Sequence, residues 1–451
     1  MIQCKVHLPT DGTGRDTGKS TRSSLFFKFH CRLHGSRSVE CIGIAEKAGH
    51  RDSPTCAPFD RAILIYTSIS LFAMRQLLRP LPFLLLAAFL QPQVASRMVN
   101  KRADEPDGAA VGPAGATLVQ LSPCEDTRAT VPAFVNKNWE GSTVPTAHIM
   151  LHGAGLDADK HFSILYDIVG DQSIVIAPAF RVEGATGYAY FDASSNLAWP
   201  AGGNTWAVGA DAVAPHSGHH AFHSAQCSSF DVVDDILSHL SDEHKYPNLS
   251  AVFIAGQSGG ANFVSRYSTL SRENNVHFKL RYIVSESATQ AYFDHARPSK
   301  VCDLGFAYPY QWSRKNANRY VQDRLTSPAS LFASWASRDV VFLTGDRDTR
   351  GSQRCQARNQ GGASRRDRDY AYWAYQNILA GTNTSVADYF GYDELLASGA
   401  RQMYDGPFNH RHCTVAGAAH DGPQIFNSDC GLAALSGQRL PVGAGASYPT
   451  A

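Results

Sequence analysis

A serine hydroxyl attacks a carbonyl efficiently only when a base takes its proton and a third group holds that base in place. The stretch VFIAGQSGGANFV, residues 252–264, sets Ser258 in a G-x-S-x-G pattern between an apolar run and a helical period. A strand before and a helix after form the context in which this short pattern marks a strained turn presenting the serine. Gly256 and Gly260 suit such a turn, because side chains there would collide with the neighbouring strand and helix. The helix N-terminus behind the serine adds free N–H groups and a positive dipole end. Downstream, VVFLTGDRDT closes another apolar run with two carboxylates, Asp346 and Asp348. The spacing Gly345-x-x-Asp348 favours Asp348, since the strand should end near Gly345 and the next turn projects the residue three on. Then HCTVAGAAHDGP supplies Gly417-x-x-His420. His410 and His412 in FNHRHC compete for the role of base, but their position before the last strand-like run suits structural roles better. Upstream, LHGAG at 151–155 follows a strand directly. There the N–H of Ala154, together with that of Gly259, can face a developing oxyanion, with Gly153 permitting the turn. His152 reads as a hydrogen-bonding residue that orients this loop rather than as a base.

In an open parallel sheet, ligands collect at the carboxyl ends of the strands, so these residues need strands directly before them. The runs TAHIMLHG (146–153), SIVIAPAF (173–180), AVFIAG (251–256), LRYIVSES (280–287) and VVFLTGD (340–346) are nearly continuous apolar segments. That is the pattern of strands covered on both faces. Helical periods separate them. In SSFDVVDDILSHLSDEH, Val232, Val233, Ile236, Leu237 and Leu240 share one face, and Ser228 with Asp231 reads as a capping box. A second period, ANFVSRYSTLSREN, follows the serine turn. The alternation predicts an α/β fold with a mostly parallel central sheet flanked by helices, in one catalytic domain over 117–451. Two stretches read as loop or lid insertions: 183–227, and 351–371 with its RRDRD run, which reads as a solvated loop. The aromatics Tyr188, Tyr190, Phe191, Trp199 and Trp206 fit either a substrate cleft or the core.

With its segments LHGAGLDADKHF, IVIAPAF, SSFDVVDDIL, AGQSGGANFVSRY, AYFDHARP, VVFLTGDRDT followed by CQARNQG, and VAGAAHDG, the chain resembles the α/β-hydrolase superfamily over most of residues 140–425. More narrowly it resembles secreted fungal and bacterial serine hydrolases of unassigned substrate. The resemblance implies the α/β-hydrolase fold and a catalytic triad of Ser258, Asp348 and His420. It departs from the usual pattern at Gln257 and Gly259, where that group carries His and Ala. Gly259 contributes only backbone, but adds flexibility to a turn that should be rigid.

A balance of 41 Lys+Arg against 40 Asp+Glu leaves no global field to draw in nucleic acid or an acidic membrane surface. MRQLLRPLPFLLLAAFLQPQVASR has the layout of a secretory signal peptide at 74–96, preceded by a doubtful, aperiodic extension at 1–73 expected to be disordered, with Met74 as the working start. Its apolar run falls short of the roughly 20 residues a membrane span needs, although 62–90 together offers an alternative anchor. Residues 97–116 read as a linker or propeptide, with a dibasic pair at Lys101-Arg102. Of ten cysteines, Cys124, Cys227, Cys302, Cys355, Cys413 and Cys430 lie in the body and none forms a C-x-x-C pair. Up to three disulfides are expected, their pairing open, as in an exported protein. Asn248 and Asn383 fit the N-glycosylation pattern. His219 and His223 in HSGHHAFH are four apart but sit in a glycine-containing stretch without a carboxylate at ligand spacing, so no metal is expected. DGTGRDTGKS mimics a phosphate-binding loop but lacks the first glycine and a preceding strand. The leading expectation is therefore a cofactor-free, secreted serine hydrolase acting on a small-molecule or polymer ester. A peptidase with the same triad and a non-catalytic binder on the same fold are the alternatives. Substrate identity and oligomeric state are open.

Overall fold

The computed structural model describes strand residues 3–7, 24–33 and 37–46, and residues 112–447 apart from 125–128, 138, 214–225, 274–275, 304–305, 383 and 442–445. The signal-peptide, anchor and dibasic readings, the His219/His223 pair and Asn383 all lie outside the described residues. The chain divides into two units, Met1–Ala103 and Asp104–Ala451. In the first, where a disordered extension was expected, β1 (Gln3–His7), β2 (Ser24–Leu33) and β3 (Arg37–Glu46) form an antiparallel sheet in that order.

The second unit is built on a nine-stranded sheet. Its strands are β4 (Ala116–Leu121), β5 (Val131–Asn136), β6 (Thr146–Leu151), β7 (Ile174–Pro178), β8 (Ala251–Gln257), β9 (Lys279–Ser285), β10 (Val340–Gly345), β11 (Arg411–Val415) and β12 (Ala446–Ser447). The spatial order is β12-β11-β10-β9-β8-β6-β7-β5-β4. Strands β6 to β11 are mutually parallel, while β4, β5 and β12 pair antiparallel. The five apolar runs read from the sequence become β6 to β10, each within a residue or two of its expected bounds. Burial on both faces explains their continuity. In β8, Val252 and Ile254 join one core cluster while Phe253 and Ala255 join the other.

Helices α1 (Ala158–Val169), α2 (Ser229–Leu240), α3 (Gly259–Leu270), α4 (Pro328–Ala336), α5 (Arg365–Ala380) and α6 (Asp429–Leu435) cover the sheet. α1 and α6 pack on one face; α2, α3, α4 and α5 on the other. The capping box at α2 is present: Phe230 N–H donates to Ser228 Oγ at 3.2 Å, and Ser228 N–H to Asp231 Oδ2 at 2.9 Å. Trp199 and Trp206 are core residues, Trp206 stacking on Phe180 at 5.4 Å. No helix among the described residues is long and apolar enough to cross a membrane.

The RRDRD run is the first turn of α5, a correction to the solvated loop expected from its charge. Ser364 caps the helix through Asp367 N–H at 3.2 Å. Arg368 is fully buried, donating to the carbonyls of Gly362, Ala288, Ser352 and Ala363. Arg365 and Arg366 are half-buried, and Arg368 can be buried outright because its guanidinium has carbonyl acceptors waiting for it.

Three disulfides pair Cys124 with Cys227, Cys302 with Cys355, and Cys413 with Cys430. The first closes the longest loop, 103 residues, and ties the segment after β4 to the start of α2. Replacing both of its cysteines by serine should lower the unfolding free energy by about 2–4 kcal/mol, read as a fall in the urea midpoint. An unchanged midpoint would show that this tie constrains nothing.

Candidate active site

Ser258 stands between the last residue of β8 and the first of α3, with φ 58° and ψ −109°. A non-glycine backbone held there costs on the order of 1–3 kcal/mol. The surroundings enforce it. Ser258 N–H donates to the Ser285 carbonyl of β9 at 3.0 Å. A Cβ on Gly260 would run into the Leu151 carbonyl of β6, and one on Gly256 into the Gly260 backbone, so the helix can leave the strand this tightly only with glycine at both. At Gly259 a Cβ would stand 3.0 Å from the Ala154 nitrogen. The amides of Gly259 and Ala154 therefore lie side by side, and neither has an acceptor among the described residues.

The loop carrying Ala154 is itself held. Leu156 N–H donates to the Gly153 carbonyl at 3.2 Å, and His152 Nδ1 donates to the same oxygen at 2.8 Å. Burial pushes His152 down to about 3, which keeps it neutral. Arg181, after β7, donates through Nη1 to the Leu156 carbonyl and lies against the rings of Tyr188 and Tyr190, 3.6 and 4.6 Å from their centroids. The guanidinium pins the loop from beneath, and two of the aromatics in the 183–227 insertion cover it.

The loops after β9, β10 and β11 converge on one imidazole. Asp348 N–H donates to the Gly345 carbonyl at 3.1 Å, and Arg347 N–H to the Ala418 carbonyl at 2.8 Å, clipping the β10 loop to the β11 loop. Gly345 is needed for that approach: a Cβ there would lie 2.6 Å from the Ala418 oxygen and 2.9 Å from Glu286 Oε1. Asp348 is buried, with Oδ2 at 2.9 Å from His420 Nδ1 and Oδ1 accepting from Arg365 Nη1 at 2.8 Å. Asp346 makes no contact with His420 among the described residues; its carbonyl accepts from Arg366 Nη1 at 3.0 Å. His410 and His412 are wholly buried, His410 Nε2 donating to the Trp335 carbonyl at 2.9 Å and His412 Nε2 lying 3.1 Å from Thr344 Oγ1.

A second carboxylate, which the sequence reading did not single out, completes this cluster. Glu286 directly follows β9 with φ 55° and is buried. Its Oε2 lies 3.2 Å from His420 Nδ1 and accepts from Gln257 Nε2 at 2.9 Å. The available signal was its place: a carboxylate closing the apolar run LRYIVSES at the carboxyl end of a strand. Burial acts to lower the pKa of His420, but hydrogen bonds to Asp348 and Glu286 outweigh it and raise the value to about 9. Through Gln257 the imidazole cluster is joined to the residue next to Ser258.

This is the α/β-hydrolase fold. The strand order, a strained serine after β8, and an acid and a histidine after β10 and β11 in that chain order define it together. No family model matches the chain, and no curated protein matches it. Among solved structures it is similar to a poly(3-hydroxybutyrate) depolymerase, LpqC, from Bordetella parapertussis, at 16% identity over 74% of this chain and 94% of that one, with a TM-score of 0.47. It is also similar to poly(aspartic acid) hydrolase-1 from Sphingomonas sp. KT-1, at 16% identity over 70% and 96% with a TM-score of 0.42. A third is the siderophore hydrolase EstB from Aspergillus nidulans, at 13% identity over 73% and 95% with a TM-score of 0.32. At this distance the likenesses carry nothing about activity.

Within this α/β-hydrolase fold, Glu286, Asp348 and His420 each bring one ligand-type atom within 4.8 Å of the others. Their positive partner is already present: Arg365 sits on Asp348, and His420 Nδ1 faces both acids.

The buried histidines make the fold acid-sensitive. Burial pulls His148 down to about 4, and His410 and His412 down to about 3. Their folded values lie below the unfolded value near 6.5. Their contribution to stability is therefore complete above about pH 6.5 and is lost as pH falls toward 4 and 3. The melting temperature should drop steadily from pH 6.5 to 4 and do so less steeply in His410→Gln. Equal slopes would remove His410 from this account.

Proposed function

We propose that the chain is a secreted serine hydrolase that cleaves a carboxylic ester through an acyl-enzyme. Ser258 Oγ attacks the carbonyl carbon while His420 Nε2 takes its proton. Asp348 fixes the imidazole through Nδ1 and balances the charge it gains. The N–H groups of Gly259 and Ala154, with Gly153 allowing the turn, receive the oxyanion. His420 then passes the proton to the leaving alcohol, and water, deprotonated in the same way, releases the acid and restores Ser258.

The observation that carries this reading is the backbone of Ser258: strain at a strand-to-helix turn, beside two amides with no acceptor among the described residues, is hard to account for in a purely structural loop. Ester over peptide follows from how often this fold serves ester chemistry. Three disulfides support an oxidising destination, and the exposed Asn248 is accessible to a glycan. The reading of 74–96 as a signal peptide and of Lys101-Arg102 as a processing site belongs to the same proposal. The amino terminus of the exported protein should then fall after residue 96 or at Ala103; retention of residues 74–96 in the mature chain would refute it.

A fluorophosphonate should label Ser258, and Ser258→Ala should abolish labelling and lower kcat on a p-nitrophenyl ester by about 10⁴-fold or more. Asp348→Asn should lower kcat/KM by about tenfold or more, and Asp346→Asn far less. Unlabelled, folded wild-type protein would refute the hydrolase reading, and the opposite ranking of the two aspartates would refute the assignment of the acid.

A further inference from the structure

Two carboxylates address one ring nitrogen in this site. His420 Nδ1 has a single proton to give, yet Asp348 Oδ2 lies 2.9 Å from it and Glu286 Oε2 3.2 Å. Glu286 is as deeply buried as Asp348 but pairs with no arginine among the described residues; Arg365 is bonded to Asp348. A buried, unpaired carboxylate is costly, so its nearest cation or donor decides whether it can stay ionised. For Glu286 those groups are His420 and the Gln257 amide.

Gln257 works at both ends. Its Nε2 donates to Glu286, and its Oε1 lies 3.3 Å from His161 Nε2 on α1. His161 Nδ1 is 3.3 Å from Asp157 Oδ1. Burial opposes protonation of His161, but bonding to Asp157 outweighs it and raises the pKa. The sequence of groups from α1 to α5 is thus carboxylate, imidazole, amide, carboxylate, imidazole, carboxylate, guanidinium. A histidine in place of Gln257 could not offer the same acceptor oxygen and amide donor from one rigid group.

We propose that Glu286 is a second positioning carboxylate of the active site, sharing the Nδ1 proton of His420 with Asp348 and itself aimed by Gln257. This rests on the reading of His420 as the base acting on Ser258. Glu286 acts through His420, by holding the imidazole and by favouring its protonated form. The other charged groups around the pair are Arg365 and Arg368, Asp369, and the Asp157–His161 pair beyond Gln257. Burial first, then the charges of Asp348 and Glu286, push Asp369 well above the usual carboxylate range, which favours its neutral form. Glu286 and Asp348 are the two carboxylates that face His420 Nδ1 directly.

The sign of the effect on rate follows. A base held protonated up to about pH 9 is free to accept the Ser258 proton only on the alkaline side, so kcat/KM should climb through that range. Removing one of two negative charges releases the proton earlier.

The test uses kcat/KM for a p-nitrophenyl ester across pH 6–10 in wild type, Glu286→Gln, Asp348→Asn and the double variant. Glu286→Gln should move the rising limb to lower pH by about one unit. Asp348→Asn should retain activity that the double variant loses by a further factor of about ten. A rising limb that stays in place in Glu286→Gln, or equal activity in Asp348→Asn and the double variant, overturns the proposal. Should Glu286→Gln fail to fold, the downfield proton resonance of His420 Nδ1–H decides: it should persist in Asp348→Asn because Glu286 still accepts it, and its loss there overturns the proposal. The resonance reports on the contact alone, whereas absence of fluorophosphonate labelling in wild type would refute the hydrolase reading, so the two failures are distinguishable.

Discussion

Ser258 can hold its strained backbone only while two strands and a helix are packed against it without the thickness of a methyl group between them. Gly260 lets the first turn of α3 lie on the Leu151 carbonyl of β6, and Gly256 lets β8 pass beneath Gly260. The Ser285 carbonyl of β9 takes up the Ser258 N–H. The turn thus depends on the central register β6-β8-β9, in which Leu151 pairs with Gly256 and Gln257 with Ser285. A slip of one residue would turn these side chains to the other face and remove the acceptor. The apolar burial of β6, β8 and β9 on both faces is what keeps that register and so offsets the strain.

Glycine at 259 is compatible with a rigid elbow. A methyl group there would press on the Ala154 nitrogen at 3.0 Å, within the range where the neighbour must give by a few tenths of an ångström. The loop that would have to give is fastened by His152 and Arg181, so the flexibility expected from glycine is limited by packing on both sides. The approach of the two amides is accommodated by the missing side chain, and the chemistry that needs them asks only for backbone.

Much of this site was legible in the sequence because its parts are local. A buried parallel strand writes itself as a continuous apolar run, and a turn at its end as Gly-x-x-acid or Gly-x-x-His, so Ser258, Asp348 and His420 stood out at strand ends before any geometry was known. What was not legible depends on partners distant in the chain. Arg365 and Arg368 look like solvent-loving residues until Asp348 and the carbonyls of Ala288 and Ser352 close around them. Glu286 looked like the polar end of a strand because nothing near it in sequence shows that His420, 134 positions later, would fold onto it. The outer strands β4 and β5 and the disulfide pairing escaped for the same reason: their partners are chosen by the tertiary fold.

The same contrast bears on why so many ionisable groups can be buried at one end of the sheet. Asp348, Glu286 and Asp369 are almost without solvent contact, and three adjacent negative charges in a poorly polarisable interior would repel one another strongly. The site relieves this in three separate ways: Asp348 is paired with Arg365, Glu286 is hydrogen-bonded by Gln257 and faces His420, and burial shifts Asp369 upward toward its neutral form. Two of these remedies come from α5, which carries Arg365 and buries Asp369, and the third from Gln257 at the end of β8. The histidine is therefore held by charges that balance only when β8, β9, β10, β11 and α5 are all in place. Its protonation is a property of the assembled domain, set by partners that no single element supplies.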